Sequence, residues 1–107
     1  MTIGTVTDDL TLDRVATALR LNETALRARG ITSMAVFGSR ARGDHRPDSD
    51  LDLLIDVDPL QKFSLIDLSS AQFFLADLIG CRVQLTLRAG LKLAFAARVA
   101  REAVSIF

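Results

Sequence analysis

Two short apolar runs, Ser33–Phe37 and Leu53–Val57, are joined by Gly38-Ser39-Arg40-Ala41-Arg42-Gly43-Asp44-His45-Arg46-Pro47-Asp48-Ser49-Asp50-Leu51-Asp52. Each run has the length and composition of a strand, and the polar stretch between them cannot continue either one. Gly38 and Ser39 open a short helix that reaches about Arg42. Gly43 to Ser49 is a loop with Pro47-Asp48 as its turn, and the second strand runs from about Asp50 to Val57. Whatever this chain becomes must be built on a strand, a glycine turn, a short helix, a loop and a strand.

The same stretch carries chemistry. Ten residues separate Ser39 from Asp50, and one separates Asp50 from Asp52. Side chains two apart in a strand share a face, so Asp50 and Asp52 stand side by side. Adjacent carboxylates repel unless a cation lies between them, and Mg2+, which prefers oxygen ligands and is commonly shared with phosphates, is the expected cation. Gly38 has no Cβ to hold a ligand off the backbone. The free N–H groups after it, with the Ser39 hydroxyl, form an anion site. Arg40 and Arg42 are candidate phosphate ligands, with Arg46 in the same basic loop. A phosphate cradle facing a carboxylate pair is a layout for phosphoryl or nucleotidyl transfer. An EF-hand is excluded: counting from Asp48, the sixth position is Leu53 instead of Gly and the twelfth is Pro59 instead of Glu. A solvated acidic turn does not explain acids interleaved with Leu51, Leu53 and Ile55 at strand spacing. His45, the only histidine, is read as a solvated loop residue.

The 107 residues make one domain, with residues 1–9 irregular. Thirteen Lys and Arg balance thirteen Asp and Glu, so no global field draws nucleic acid, and no nucleic-acid partner is expected. The single Cys81 cannot close an internal disulfide, which fits a reducing cytoplasm; it is read as a small packed residue ahead of a strand. No run approaches the ~20 apolar residues of a membrane span, and the N-terminus does not read as a signal peptide.

Thr11 or Asp13 caps a first helix with Leu12, Val15, Ala16, Leu19 and Leu26 on one face, closed by Gly30. Asp58-Pro59 ends the second strand, and Ser64 caps a helix from about Leu65 to Ile79, closed by Gly80. Arg82–Leu87 alternates as a third strand, with Arg82, Gln84 and Thr86 on its polar face. A last helix spans about Leu91 to Val104. The order α-β-α-β-α-β-α predicts a mixed α/β (α+β) fold, a small three-stranded mixed sheet flanked by helices. The helix at 65–79 carries two apolar stripes, Leu65, Leu68, Leu75 and Ile79, and Ile66, Phe73 and Ala76. The last helix likewise adds Phe95, Val99 and Ile106 to Leu93, Ala97, Ala100 and Val104. Either these helices are buried on most sides, or a partner, another protein or a second copy of the chain, covers the surplus.

Gly38-Ser39, ten residues, then Asp50-x-Asp52 resembles the signature of the nucleotidyltransferase superfamily that includes DNA polymerase β. The short chain is most similar to the minimal nucleotidyltransferases, typically the antitoxin half of HEPN–MNT toxin–antitoxin pairs. The likeness runs from about Leu12 to the C-terminus. It implies a nucleotidyltransferase fold, a two-ion type Mg2+ site on Asp50 and Asp52, and ATP as substrate with its polyphosphate on Gly38, Ser39, Arg40 and Arg42. It also implies AMP transfer to a tyrosine of a HEPN toxin. The family adds a third acid on the strand after the long helix, and by position and facing that place is Gln84. Glutamine is neutral, a poor magnesium ligand and no base near pH 7. Asp58, Asp67, Asp77 and Glu102 do not lie at strand spacing, and Asp56, four residues beyond Asp52, is ~13 Å away along the strand. Two functions follow. One is a Mg2+-dependent protein adenylyltransferase acting as an antitoxin. The other is a nucleotidyltransferase-fold binding module, impaired in catalysis, that neutralises a partner by covering it. The retained carboxylate pair favours the first; Gln84 and the surplus apolar surface favour the second. The balanced charge and the lack of a second substrate domain weigh against a nucleic-acid end or an antibiotic as acceptor.

Overall fold

The computed structural model describes residues 11–107, so the irregular start read for residues 1–9 lies outside them. Leu12–Leu21 forms α1, with the Thr11 hydroxyl accepting from the Arg14 N–H at 3.3 Å. The apolar pattern predicts one helix as far as Gly30, but the helix breaks at Asn22 and resumes as α2, Glu23–Ala28. The Asn22 side chain donates to the Ala18 carbonyl at 2.8 Å, a local bond that competes with the regular helix. Leu19 and Leu26, one on each side of the break, are both fully buried.

The remaining elements are β1 (Ile31–Phe37), α3 (Ser39–Arg42), β2 (Leu51–Val57), α4 (Leu65–Ile79), β3 (Val83–Leu87), a 3-10 turn (Arg88–Gly90), α5 (Leu93–Glu102) and β4 (Val104–Ser105). The sheet order is β3-β2-β1-β4; β1 runs antiparallel to β2 and β4, and β2 runs parallel to β3. The sheet is thus mixed, as expected, but has four strands instead of three. The last helix stops early because Ala103 is extended, and Val104 and Ser105 then pair with Val36 and Ala35. The free edge of β1 needs hydrogen-bond partners. Ile106 N–H donates to the Met34 carbonyl at 2.8 Å, and Met34 N–H to the Phe107 carbonyl at 3.1 Å.

Strand alternation divides the core between the two sheet faces. Val36, Leu51, Leu53 and Ile55 pack with Leu19, Leu26 and Leu75 from α1, α2 and α4. Ala35 and Leu54 turn the other way and meet Val99 of α5. Asp52 shares the face of Leu54, so the acids belong to the α5 side of the sheet. A capping box starts α4: Ser64 Oγ accepts from Asp67 N–H at 3.2 Å, and Asp67 Oδ2 accepts from Ser64 N–H at 2.8 Å. Only Ala71, Leu75 and Ile79 of α4 are buried. Leu65, which the pattern places on the core stripe, is 81% exposed because it lies in the first turn, and Ile66 and Phe73 are 80% and 74% exposed. The surplus apolar surface of this helix is therefore open. Among the described residues, no helix is long and apolar enough to cross a membrane.

Candidate active site

β1 ends at Phe37, and the chain turns at Gly38 with φ 77° and ψ −154°, a region essentially confined to glycine. A Cβ built there would stand 2.5 Å from Asp52 Oδ2. The turn therefore presses bare backbone against the acid and delivers Ser39 beside it. α3 is a single turn, too short for a large dipole, so its start offers an anion only local N–H groups and the Ser39 hydroxyl.

Sheet register completes the row. Phe37 pairs with Asp52 across β1 and β2, and Asp52 pairs with Gln84 across β2 and β3. Gln84 is the β3 residue beside the acid, where strand facing puts it. Among the described residues, no group of three His, Cys, Asp or Glu is assembled that could hold a metal. Asp50 lies just before β2. Its Oδ1 is buried and makes no aligned hydrogen bond, although Arg82 Nε lies 3.0 Å away as a charge contact. Asp52 is half-buried; desolvation first, and then the Asp50 charge, push its carboxyl above the usual range, while Arg42 pulls it back. Two hard oxygen donors, one lacking a hydrogen bond and the other raised by desolvation and then by its neighbour's charge, fit an oxygen-preferring divalent cation such as Mg2+.

Two clefts adjoin these residues, one lined by Gly38 and the other by Asp50. One, of about 440 Å³, is lined by Phe37, Gly38, Arg42, Phe95, Arg98 and Glu102, between α3 and α5. Arg42 Nε lies 3.1 Å from Asp44 Oδ2, and one of its terminal nitrogens lies 3.0 Å from Glu102 Oε1. The Arg98 guanidinium stands 5.1 Å from the Phe95 ring centre. The second cleft, of about 300 Å³, is lined by Asp50, Gln72, Phe73, Arg82 and Gln84 between α4 and the edge strand β3. Motif spacing assigns no role to Phe95, Arg98 or Arg82. The available signal for Arg82 is its place two residues before Gln84, on the same strand face.

Arg40 does not join Arg42. It is 2% exposed, and its guanidinium donates to the Ser49 carbonyl at 2.9 Å. Residues two apart on even a short helix face different ways, and Arg40 faces inward. The structure thus replaces its expected phosphate role with a brace between α3 and the loop that delivers Asp50. Arg40→Met is expected to lower stability by about 2–4 kcal/mol in urea denaturation, because it breaks a buried charged hydrogen bond. Arg42→Ala, whose ion pairs are exposed, is expected to cost at most ~1 kcal/mol in the same measurement. Arg46 is exposed and His45 half-buried, both in the loop after α3.

A carboxylate pair against a glycine turn on a mixed sheet defines a protein of the phosphoryl- and nucleotidyl-transfer class. Residues 19–106 match the nucleotidyltransferase domain model, and the chain belongs to this family of enzymes. It is 36% identical over 98 residues to the protein adenylyltransferase MntA of Thermococcus cleftensis, covering 91% of this chain and 97% of that one. It is also similar to a solved structure described as a minimal nucleotidyltransferase, with a TM-score of 0.77 and 31% identity over 94% of this chain and 98% of the other. It shares its fold with a chain of the complex between the tri-AMPylated Shewanella oneidensis HEPN toxin and MNT antitoxin, at a TM-score of 0.64 and 14% identity over 87% and 71% of the two chains.

Proposed function

We propose that this chain transfers AMP from ATP to a hydroxyl of a partner protein, a HEPN-domain toxin, and so acts as its antitoxin. The observation that carries this reading is the Asp50–Asp52 pair, retained in a half-buried place where like charges oppose each other, with Gly38 making room for it. Asp50 and Asp52 would hold Mg2+, which when bound neutralises charge on the polyphosphate. The Gly38 backbone and Ser39 hydroxyl receive phosphate oxygens, with Arg42 beside them. The cleft by Phe37 and Phe95 has room for the nucleoside. The acceptor enters on the Gln84 side. Its oxygen bonds to the α-phosphorus, the bond from that phosphorus to the bridging oxygen breaks, and the electron pair leaves with pyrophosphate. The hydroxyl proton passes to water, because the Gln84 amide cannot take it.

Ile66 and Phe73 give the partner an apolar surface running along α4 to the acceptor cleft. Phe73→Ser is expected to cut partner labelling about five- to tenfold, as loss of an aromatic interface anchor does. ATP binding, measured by calorimetry, should be unchanged, and stability should shift by no more than about 0.5 kcal/mol at so exposed a position.

Gln84 specifically favours a second reading, capture of the partner without transfer. The test is incubation with Mg2+, α-labelled ATP and lysate of the source cells. A labelled protein band lost with Asp50→Ala/Asp52→Ala supports transfer. Absence of label while the partner is still captured overturns it and leaves neutralisation by binding.

A further inference from the structure

On the polar face of β3, the strand that would carry a third acid, the chain instead offers an amide at Gln84, and a cation at Arg82 just before the strand begins. The Arg82 backbone is fixed, since its carbonyl accepts from Leu51 N–H at 2.9 Å, one residue from Asp50. Its side chain is 80% exposed and has solvent to turn into, yet Nε lies 3.0 Å from Asp50 Oδ1. That oxygen is buried and makes no aligned hydrogen bond, so its interaction with Arg82 is one of charge. Gln84 stands in register with Asp52. The carboxylate pair thus lies against the Gly38 backbone on one side and already faces a guanidinium on the β3 side.

We propose that Arg82 is a positioning residue: a fixed counter-cation of Asp50 that holds the β3 side of the pair, so that Asp50 and Asp52 take one divalent cation instead of two. A guanidinium suits this place because it stays charged at every working pH and needs no third carboxylate to retain it. An exposed ion pair contributes little to stability, so its effect should appear in cation binding, not in folding. The inference concerns the cation site that the transferase reading uses, but its test does not depend on transfer.

The probe is Mn2+ alone, titrated into the full chain without nucleotide and followed by electron paramagnetic resonance. Wild type is expected to bind one ion. Arg82→Gln should bind it roughly 3–10-fold more tightly, because a positive charge a few ångströms from the ion is removed. Arg82→Lys, which keeps the charge, should stay within about twofold of wild type, whereas a merely packed side chain would not be rescued by charge. In an Asp50→Asn background, Arg82→Gln should change nothing further. Arg82→Gln/Gln84→Asp should bind a second ion. Equal Mn2+ affinity in wild type and Arg82→Gln overturns the proposal, as does a second ion in wild type. If wild type labels no protein in the transfer assay, the transferase reading fails while these Mn2+ titrations still decide the role of Arg82.

Discussion

Asp52→Asn is expected to lower AMP transfer by about a thousandfold or more and, in the same protein, to raise the melting temperature measured in EDTA. The first effect follows from the place of Asp52 in the row Phe37–Asp52–Gln84. With Gln84 neutral, Asp52 and Asp50 are the acids available to hold a cation against the polyphosphate. A thousandfold loss is about 4 kcal/mol of transition-state stabilisation, the scale on which metal and phosphate clamps act. The second effect follows from electrostatics. Desolvation and the Asp50 charge hold the folded Asp52 carboxyl above its ordinary value. A group raised in the folded state contributes stability that is fully present below its unfolded value, about pH 4, and is lost as pH rises through its folded value. The metal-free wild type sets the Asp52 carboxyl beside Asp50 in a desolvated place, and the Asn variant removes that cost. The variant should therefore melt higher than wild type in EDTA at neutral pH, and the two should converge below about pH 4. Mg2+ should raise the wild-type melting temperature and leave the variant unmoved. A variant that melts lower than wild type at neutral pH in EDTA would sink the account of a pair held together against its own repulsion.

The features legible in the amino-acid order are those set by short-range rules. Strand alternation puts Asp50 and Asp52 on one face and gives Gln84 the facing of the missing acid. The glycine between strand and helix marks the close approach at Gly38. The capping box at Ser64 and Asp67 lies within four residues of sequence. The features that are not legible depend on residues far apart in the chain or on elements too short to carry a period. Arg40 and Arg42 lie two apart in a helix of four residues, where no periodicity says which faces inward. β4 is two residues long, and its Val104 and the following Ile106 read equally well as a helix end; the unpaired edge of β1 decides. The break at Asn22 rests on a side-chain bond that competes with a good helical pattern. Arg82 meets Asp50, and Phe95 lines the same cleft as Gly38, across spans that spacing alone cannot join. Thus the carboxylate pair is legible, while the walls of the two clefts around it are not.

Gly38→Ala carries the second large effect, and Gly43→Ala is its control. Both glycines have positive φ, 77° and 84°. Gly43 lies in the left-handed helical region that closes α3, with nothing within 4 Å of a built Cβ. Alanine there should cost roughly 1–2 kcal/mol and leave transfer nearly intact. Gly38 combines φ 77° with ψ −154°, and its added Cβ would lie 2.5 Å from Asp52 Oδ2 and 3.3 Å from its Cγ. The backbone conformation alone costs on the order of 1–3 kcal/mol for a residue with a Cβ. The contact must be relieved by moving the carboxylate most of an ångström, and a displacement of that size costs transfer about a hundredfold. The two costs separate in a double-mutant cycle read by urea denaturation. Asp52→Ala removes the obstructing oxygen, so Gly38→Ala should destabilise that background less than it destabilises wild type, the difference measuring their contact. If the cost of Gly38→Ala is the same in both backgrounds, the glycine serves the turn alone, and its approach to Asp52 has no part in building the site.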